Sequence, residues 1–554
     1  MLFWCQIKMK SLSLSWVFNN ININAISIIQ NKIANLQQIT WIDFIYHTPE
    51  IFLSVTISVS LILVGTANFF PVPTSILQKK EIAWSLYVLT KNSLLISLGL
   101  CLVHIVFFST TGIIFNSYLI TDLYTQTLKI LVLWTTWSVL KASSRYLIKH
   151  PRHLMEYPIL ISLNTVFLLV FISSYNLITL FLAVIGFSLN IYVLLLYDSF
   201  NHSSREAGIK YYYLSTFSSG LILGGLLITY LLFHNTSFLS ITWILHHWIF
   251  LDSFQTKLML LYFVIYFILF GFFFKLASFP CHLWAPEVYD GSPHPITALF
   301  VLPIKIATFG LFLRLLNYVF IDIYFVWHYL VWISSFFSMI WGCLGALGEQ
   351  IIKRFIAYSS INQMGFLFLG LACGTFEGLR ASLIYLLLYI IMNLGFFILF
   401  LNTKEQNTNR ALTYLTDFND YAQYNYLYSI TFVIILFSMA GIPPLGGFFG
   451  KYYLFLHSFE VGHIGLVVIG MVTSLIATYY YLRIIKLMWF EQPVKTRFFF
   501  QTTFSEILFV YYVAIEFILI LFVIWSPWLF KYTNWLTATC INPLTTKIFN
   551  PWSL

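Results

Sequence analysis

Charge is scarce in this 554-residue sequence. Asp, Glu, Lys and Arg make up 9% of it, against roughly 25% in an average soluble chain. No water-facing surface can be built from so few charges, which excludes the three or four soluble domains that the length alone would suggest. Cysteine is sparse too. Cys5, Cys101, Cys281, Cys343, Cys373 and Cys540 form no C-x-x-C and no paired ladder, so neither an iron–sulfur centre nor a zinc site is indicated. The chain lacks G-x-G-x-x-G and any P-loop, which excludes dinucleotide or ATP binding through a recognisable motif. Haem held by two histidines needs them to face each other deep in two helices. Most of His104, His246, His247, His282, His294 and His463 lie near loops instead. Residues 1–49, rich in Asn and Ile with Lys8, Lys10 and Lys32, lack the compact pattern of a secretory signal and read as an N-terminal extension.

What the chain has is apolar length. Sixty per cent of it is hydrophobic and the mean hydropathy is +0.84. A bilayer span needs about 20 apolar residues, and runs of that length between polar breaks give fourteen candidates. They fall at 50–70, 92–115, 125–142, 156–175, 177–197, 211–233, 257–276, 296–316, 323–345, 354–372, 380–402, 428–455, 462–488 and 504–530. The expected fold is an all-α polytopic membrane protein. The net charge of +9 marks no nucleic-acid partner, because the basic residues are scattered and trace no phosphate backbone. They mark topology instead. Connections after odd-numbered spans carry seventeen Lys and Arg residues, and those after even-numbered spans carry Lys257, Arg314 and Arg380. That split obeys the positive-inside rule for fourteen spans with both termini on the non-basic side. The odd connection 277–295, with no basic residue, and the basic residues of the termini run against it.

Two spans are interrupted alike. GFFFKLASFPCHLWAPE places Lys275 five residues before Pro280, and SMAGIPPLGGFFGKYYLF places Pro443, Pro444 and three glycines just before Lys451. Proline frees a backbone carbonyl, which membrane depth tolerates only where it lines protein or a wet cavity. A matched pair of broken spans, one in each half, points to a transporter built from repeats. The breaks fall in spans 7 and 12. Five is odd, so two five-helix units would have inverted topology.

An ionisable side chain near the bilayer centre costs at least ~2.5–3.5 kcal/mol. Lys129, Lys275, Lys305 and Lys451 all lie within or at the edge of apolar spans. Burial disfavours a charged lysine and a nearby carboxylate restores it, so a row of such lysines can hold and release protons. Lys129, a few residues into its span, is expected to snorkel to the interface. Lys305 lies too deep for that, and snorkelling explains neither break beside Lys275 and Lys451. Glu206 and Lys210, one turn apart at the mouth of span 6, are placed to pair on one face, with Lys210 open to a second reading as a topology charge. The small residues of GCLGALG at 342–348 suit close helix packing. Glu516 sits unexplained in span 14.

KLASFPCHLWAPEVYDGSPHPITA, RFIAYSSINQMGFLFLGLACGT, YIIMNLGFF and AGIPPLGGFFGKYYLF, with TPEIFL opening span 1 and EAGIKYYYLSTFSSG opening span 6, resemble chain 2 of the proton-pumping NADH:quinone oxidoreductase, respiratory complex I. The bacterial counterpart is the N subunit. The likeness runs in order over about residues 48–530. WAPEVYDGSP and the short stretch after residue 530 favour chain 2 over chains 4 and 5. The resemblance implies fourteen helices with two inverted five-helix repeats, spans 4–8 and 9–13, and discontinuous helices 7 and 12. It divides the chain into the extension (1–49), helices 1–3 (50–155), a first repeat (156–316), a second repeat (317–488), and helix 14 with the tail (489–554). It assigns Lys275, Lys305 and Lys451 to a central hydrophilic axis, with Lys210, paired with Glu206, an added member. It implies no cofactor in this chain, with flavin, iron–sulfur clusters and quinone in other subunits. The implied partners are the other membrane-arm subunits, especially neighbouring antiporter-like chains, and membrane lipids including cardiolipin.

Two positions depart from the family's pattern. Ile185, in FLAVIGFSL, stands where the family usually has a glutamate, and Gln363 stands where it often has a histidine. Glu206 could replace the lost carboxylate only if span 6 turned it inward. An Mrp-type cation/proton antiporter and a mainly structural subunit with a partly lost proton path therefore stay open. Abundant Phe, Tyr, Ile and Asn fit an AT-rich organelle genome, so the expected location is the mitochondrial inner membrane, with the basic loops in the matrix.

Overall fold

A computed structural model describes residues 41–69, 76–107, 112–148, 151–197, 201–248, 254–405, 412–424, 426–491, 499–501, 527 and 529–541. Residues 1–40 of the extension, and Glu516 with nearly all of the span expected at 504–530, lie outside the described residues. In chain order the long helices are α1 (Thr48–Phe69), α2 (Ile76–Phe107), α3 (Leu123–Ile148), α4 (Pro151–Ser173), α5 (Leu177–Leu196) and α6 (His202–Phe233). Helix 7 comes in two pieces, α7a (Phe254–Leu276) and α7b (Trp284–Gly291), and so does helix 8, as α8a (His294–Val301) and α8b (Pro303–Arg314). Then follow α9 (Tyr324–Gly348), α10 (Ile352–Ala372), α11 (Phe376–Asn402), the divided α12a (Tyr426–Ala440) and α12b (Gly446–Glu460), and α13 (Ile464–Trp489).

Among the described residues, 11 helices are long and apolar enough to cross a membrane. Helix 3 falls short because Thr125, Gln126, Thr127, Lys129, Thr135 and Thr136 dilute its apolar run, and helix 12 because its break leaves two short pieces. The span expected at 92–115 needs correction. Its helix starts at Ile76, on a polar stretch that reads as a loop, and ends at Phe107. Gly112–Ile114 is a β-strand (β1), paired antiparallel with Leu119–Thr121 (β2). Phe115, Asn116 and Ser117 turn between them at φ 50°, 53° and 69°, a left-handed run no helix could contain.

Helix 8 is the axis of the molecule. Every residue of its apolar window is buried, against 33% in α1 and in α6. Around it stand α3, α4 and α7a, with α10 and α11 against its first half, while α1, α2, α6 and α13 turn apolar side chains such as Phe217, Leu231, Leu475 and Tyr479 outward, where lipid would meet them. The small residues of 342–348 do pack closely. A Cβ on Gly342 would lie 2.5 Å from the Asn362 backbone nitrogen, so only glycine lets α9 approach α10 there.

Both breaks are built the same way. At the end of α7a, Ala277 takes φ 55°, its N–H donates to the Phe274 carbonyl and the Ser278 N–H to the Phe273 carbonyl. At the end of α12a, Gly441 takes φ 88°, its N–H donates to the Ser438 carbonyl and the Ile442 N–H to the Phe437 carbonyl. These are Schellman caps, which close a helix on a left-handed residue. The proline that follows each cap then keeps the helix from resuming at once.

Candidate functional site

The breaks place three buried amines in the core. Lys451 lies on the second turn of α12b and reaches back across the break. Its Nζ donates to the Met439 carbonyl at 3.0 Å and the Ala440 carbonyl at 2.9 Å. Those are the last two carbonyls of α12a, which lack helical partners and carry the negative end of the helix dipole. The Phe366 ring lies 5.2 Å from the same Nζ, close enough for a cation–π contact.

Lys305 lies at the start of α8b, just past the Leu302–Pro303 joint. Its Nζ donates to Ser360 Oγ on α10 at 3.0 Å. Lys275 ends α7a and is treated differently. Its buried Nζ has no hydrogen-bond partner among the described residues, and stands 5.3 Å from the Phe187 ring and 6.0 Å from that of Phe274. Phe187 is two residues after Ile185 on α5, so α5 offers this amine an aromatic face where a carboxylate was missed in the sequence. Among the described residues, no carboxylate lies within 4.0 Å of any of the three amines.

α10 joins Lys305 to Lys451. Ser360, Gln363 and Phe366 recur every three residues and share one side of the helix. Ser360 accepts from Lys305, Gln363 accepts from the Tyr385 hydroxyl, and Phe366 covers Lys451. Tyr385 itself packs against Gly450, beside Lys451. The Tyr389 hydroxyl donates to the Val301 carbonyl at 3.0 Å and ties α11 to the joint in helix 8. Gln363 does not titrate, and its side-chain carbonyl is held by the Tyr385 hydroxyl.

Lys210 and Glu206 sit elsewhere. They pair at 2.8 Å, and Lys210 also meets Glu287 at 2.7 Å, with side chains 42%, 52% and 56% exposed. Glu206 is thus not turned inward and cannot stand in for the carboxylate missing at Ile185. The pair forms a charged rim beside Asp290–Arg354 (2.9 Å) and Lys353, which donates to the Asp290 and Ser292 carbonyls at the end of α7b.

Sequence reasoning missed two buried ion pairs. Lys129 does not snorkel. Its side chain is 0% exposed and its Nζ lies 2.5 Å from Glu50 at the start of α1. His47 lies 3.5 Å from the same carboxylate, and His104 meets the Thr48 hydroxyl at 2.9 Å. Arg314, counted above as a topology charge, is fully buried against Asp122. Asp122 also caps α3, accepting from the Thr125 N–H at 2.9 Å, while the Tyr124 hydroxyl donates to the Gly310 carbonyl at 2.7 Å. The available signal was chemical. A buried lysine or arginine needs an opposite charge, and Glu50 and Asp122 are the acids at the starts of α1 and α3.

Comparison with known proteins fits this geometry. Residues 174–477 match the family described as NADH:quinone oxidoreductase/Mrp antiporter, TM. The chain belongs to this family. It is 34% identical to the NADH-quinone oxidoreductase subunit N of Pelagibacter ubique over 448 residues, covering 81% of this chain and 90% of that one. It is 34% identical to the NADH-ubiquinone oxidoreductase chain 2 of Marchantia polymorpha over 456 residues, with the same coverage. Its fold is similar to a chain of respiratory complex I from Thermus thermophilus (TM-score 0.66, 22% identity, 90% and 98% of the two chains). It is also similar to a chain of the Mrp complex from Dietzia (TM-score 0.74, 16% identity, 91% and 98%). The family fold is thus a multi-pass helical membrane domain shared by redox-driven complexes and antiporters, and this chain has it.

Proposed function

We propose that this chain is a proton-translocating membrane-arm subunit of an NADH:quinone oxidoreductase. One observation carries the reading: among the described residues, Lys275, Lys305 and Lys451 are buried amines without a carboxylate partner, each beside a helix interruption, and two of them contact α10. An amine held only by carbonyls, a hydroxyl and ring faces can exist charged or neutral, and a small movement of its acceptors decides which. Lys451 depends on two carbonyls across a break, so sliding α12b against α12a alters the hold on its proton. Ser360, Gln363 and Tyr385 then line the way between Lys451 and Lys305, with water completing it. The exposed Lys210–Glu206–Glu287 rim stands apart from that way. NADH oxidation and quinone reduction, with flavin and iron–sulfur clusters, belong to partner subunits, and coupling arrives here as charge and movement.

The proposed repeats, 156–316 and 317–488, each enclose one of the two matched Gly/Pro breaks, in helix 7 and helix 12. Neighbouring antiporter-like chains are the proposed partners, cardiolipin a proposed lipid, and the mitochondrial inner membrane the proposed location. The Mrp-like fold favours a second reading, a cation/proton antiporter subunit, but the relatives at 34% identity over nine-tenths of their length weigh toward the redox-driven complex. A native gel of mildly solubilised membranes, stained for NADH oxidation and read by mass spectrometry, separates the two. The chain is expected only in a large NADH-oxidising band. A smaller band without that activity would overturn the proposal.

A further inference from the structure

We propose that Glu50 and Lys129 form a further proton-holding site, outside the two repeats, which passes protons from the core lysines to the face that carries the β1–β2 hairpin. The inference rests on the proposed function and extends it to helices 1–3. Both side chains are buried, with the amine 2.5 Å from Glu50 Oε1. Moving one proton from Nζ to that oxygen removes both charges at once, so burial brings the neutral pair close in energy to the ionic one. A third titratable group completes the row. His47 immediately precedes α1, and its Nδ1 stands 3.5 Å from Oε2, the carboxylate oxygen that Lys129 leaves free. Its ring lies 5.5 Å from that of Phe115 in the hairpin turn. Its buried Nε2 has no hydrogen-bond partner among the described residues, while Phe44 and Ile45 just before it are exposed. Amine, carboxylate and imidazole thus lead in order from the interior to the hairpin face.

α3 brings the pair to the core. A Cβ on Gly310 would lie 2.5 Å from Leu128 Cδ1, the Tyr124 hydroxyl donates to the Gly310 carbonyl at 2.7 Å, and Asp122 pairs with Arg314. α3 and α8b therefore run antiparallel in contact. Lys129 follows Leu128 and Lys305 lies five residues before Gly310, so the two amines share the same depth to within about one helical turn, ~5 Å. Gln126 is one turn before Lys129 on the same side of α3, and Asn164 lies on α4, which touches α1, α3 and α8b. Both are buried, and Gln126 Oε1 and both amide atoms of Asn164 have no hydrogen-bond partner among the described residues. Buried amides without a protein partner bind water, and that water is the proposed bridge from Lys305 to Lys129. The transfer balances. A proton leaves Lys129 Nζ for Glu50, turning ammonium and carboxylate into amine and carboxylic acid. Once the carboxyl group turns, the proton passes to His47 Nδ1 and the carboxylate is restored. The imidazolium then releases a proton from Nε2 at the hairpin face, exchange with solvent restores its tautomer, and the Lys129 amine takes the next proton from the core.

The test compares protons moved per NADH in intact vesicles carrying the wild-type complex, Lys305→Met, His47→Gln, or the double variant Glu50→Gln with Lys129→Met. The double variant leaves no buried charge unpaired, and His47→Gln leaves the ion pair in place, so a failure of one to assemble does not remove the test. The ratio is expected to fall in both, and in the double variant by as much as in Lys305→Met. Normal ratios in both, with normal assembly and a lowered ratio in Lys305→Met, would overturn the site and leave the proposed function standing. Normal ratios in all three variants would overturn both. Infrared difference spectra add a readout that a purely structural ion pair would not move. Adding NADH to the wild-type complex should raise a protonated-carboxyl band that the double variant lacks, and the same band in both would overturn the assignment to Glu50.

Discussion

The Lys129 ammonium stands 2.5 Å from the Glu50 carboxylate, with neither side chain more than 7% exposed. Each charge is tolerable only because of the other. Removing one leaves the other buried and unpaired, which costs about 3–5 kcal/mol. Glu50→Gln or Lys129→Met alone should sharply reduce the amount of assembled complex in membranes. The double variant, which leaves no charge, should recover most of it. Equal losses in the single and double variants would show that the pair is not a pair.

Gly441 tests the break in helix 12. A Cβ there would lie 3.1 Å from Lys451 Nζ, on a residue held at φ 88°. Gly441→Ala would meet a left-handed backbone cost of about 1–2 kcal/mol and crowd the amine off its two carbonyls. Protons moved per NADH should fall more than the amount of complex does. A loss of complex alone, with the ratio intact, would separate the fold of the break from its use.

Tyr385→Phe removes one hydroxyl from the row between Lys305 and Lys451. The Gln363 carbonyl then loses its partner, which costs about 1–3 kcal/mol in a buried site. Pumping should fall with both lysines present, measured as protons per NADH. Normal pumping would mean that protons pass by another side of α10.

Lys210 offers the contrast. Its two partners are more than half exposed, and surface pairs contribute little. Lys210→Met should change neither assembly nor protons per NADH by more than about twofold. A loss as deep as that of a Lys451 variant would move Lys210 from the rim into the path.

The sequence already carried the helical membrane fold, both interruptions and the three core lysines, because each leaves a local mark: apolar length, Gly and Pro clusters, and charges inside apolar runs. Partnerships were harder to read. Lys129 sits near the start of its span, which suits snorkelling, and its partner is 79 residues earlier at the start of α1. Nothing local tells that the hairpin at 112–121 and helices 1 and 2 close over it. Arg314 looked like a loop charge for the same reason. Glu206 and Lys210 were correctly paired, since four-residue spacing is local, yet their exposure depends on how α6 packs.

The most direct test of the account is the proton-to-NADH ratio of intact vesicles carrying Lys305→Met or Lys451→Met, measured with the amount of assembled complex. The account predicts normal assembly and a reduced ratio in both. An unchanged ratio with normal assembly would contradict it, and leave this chain a structural member of the membrane arm.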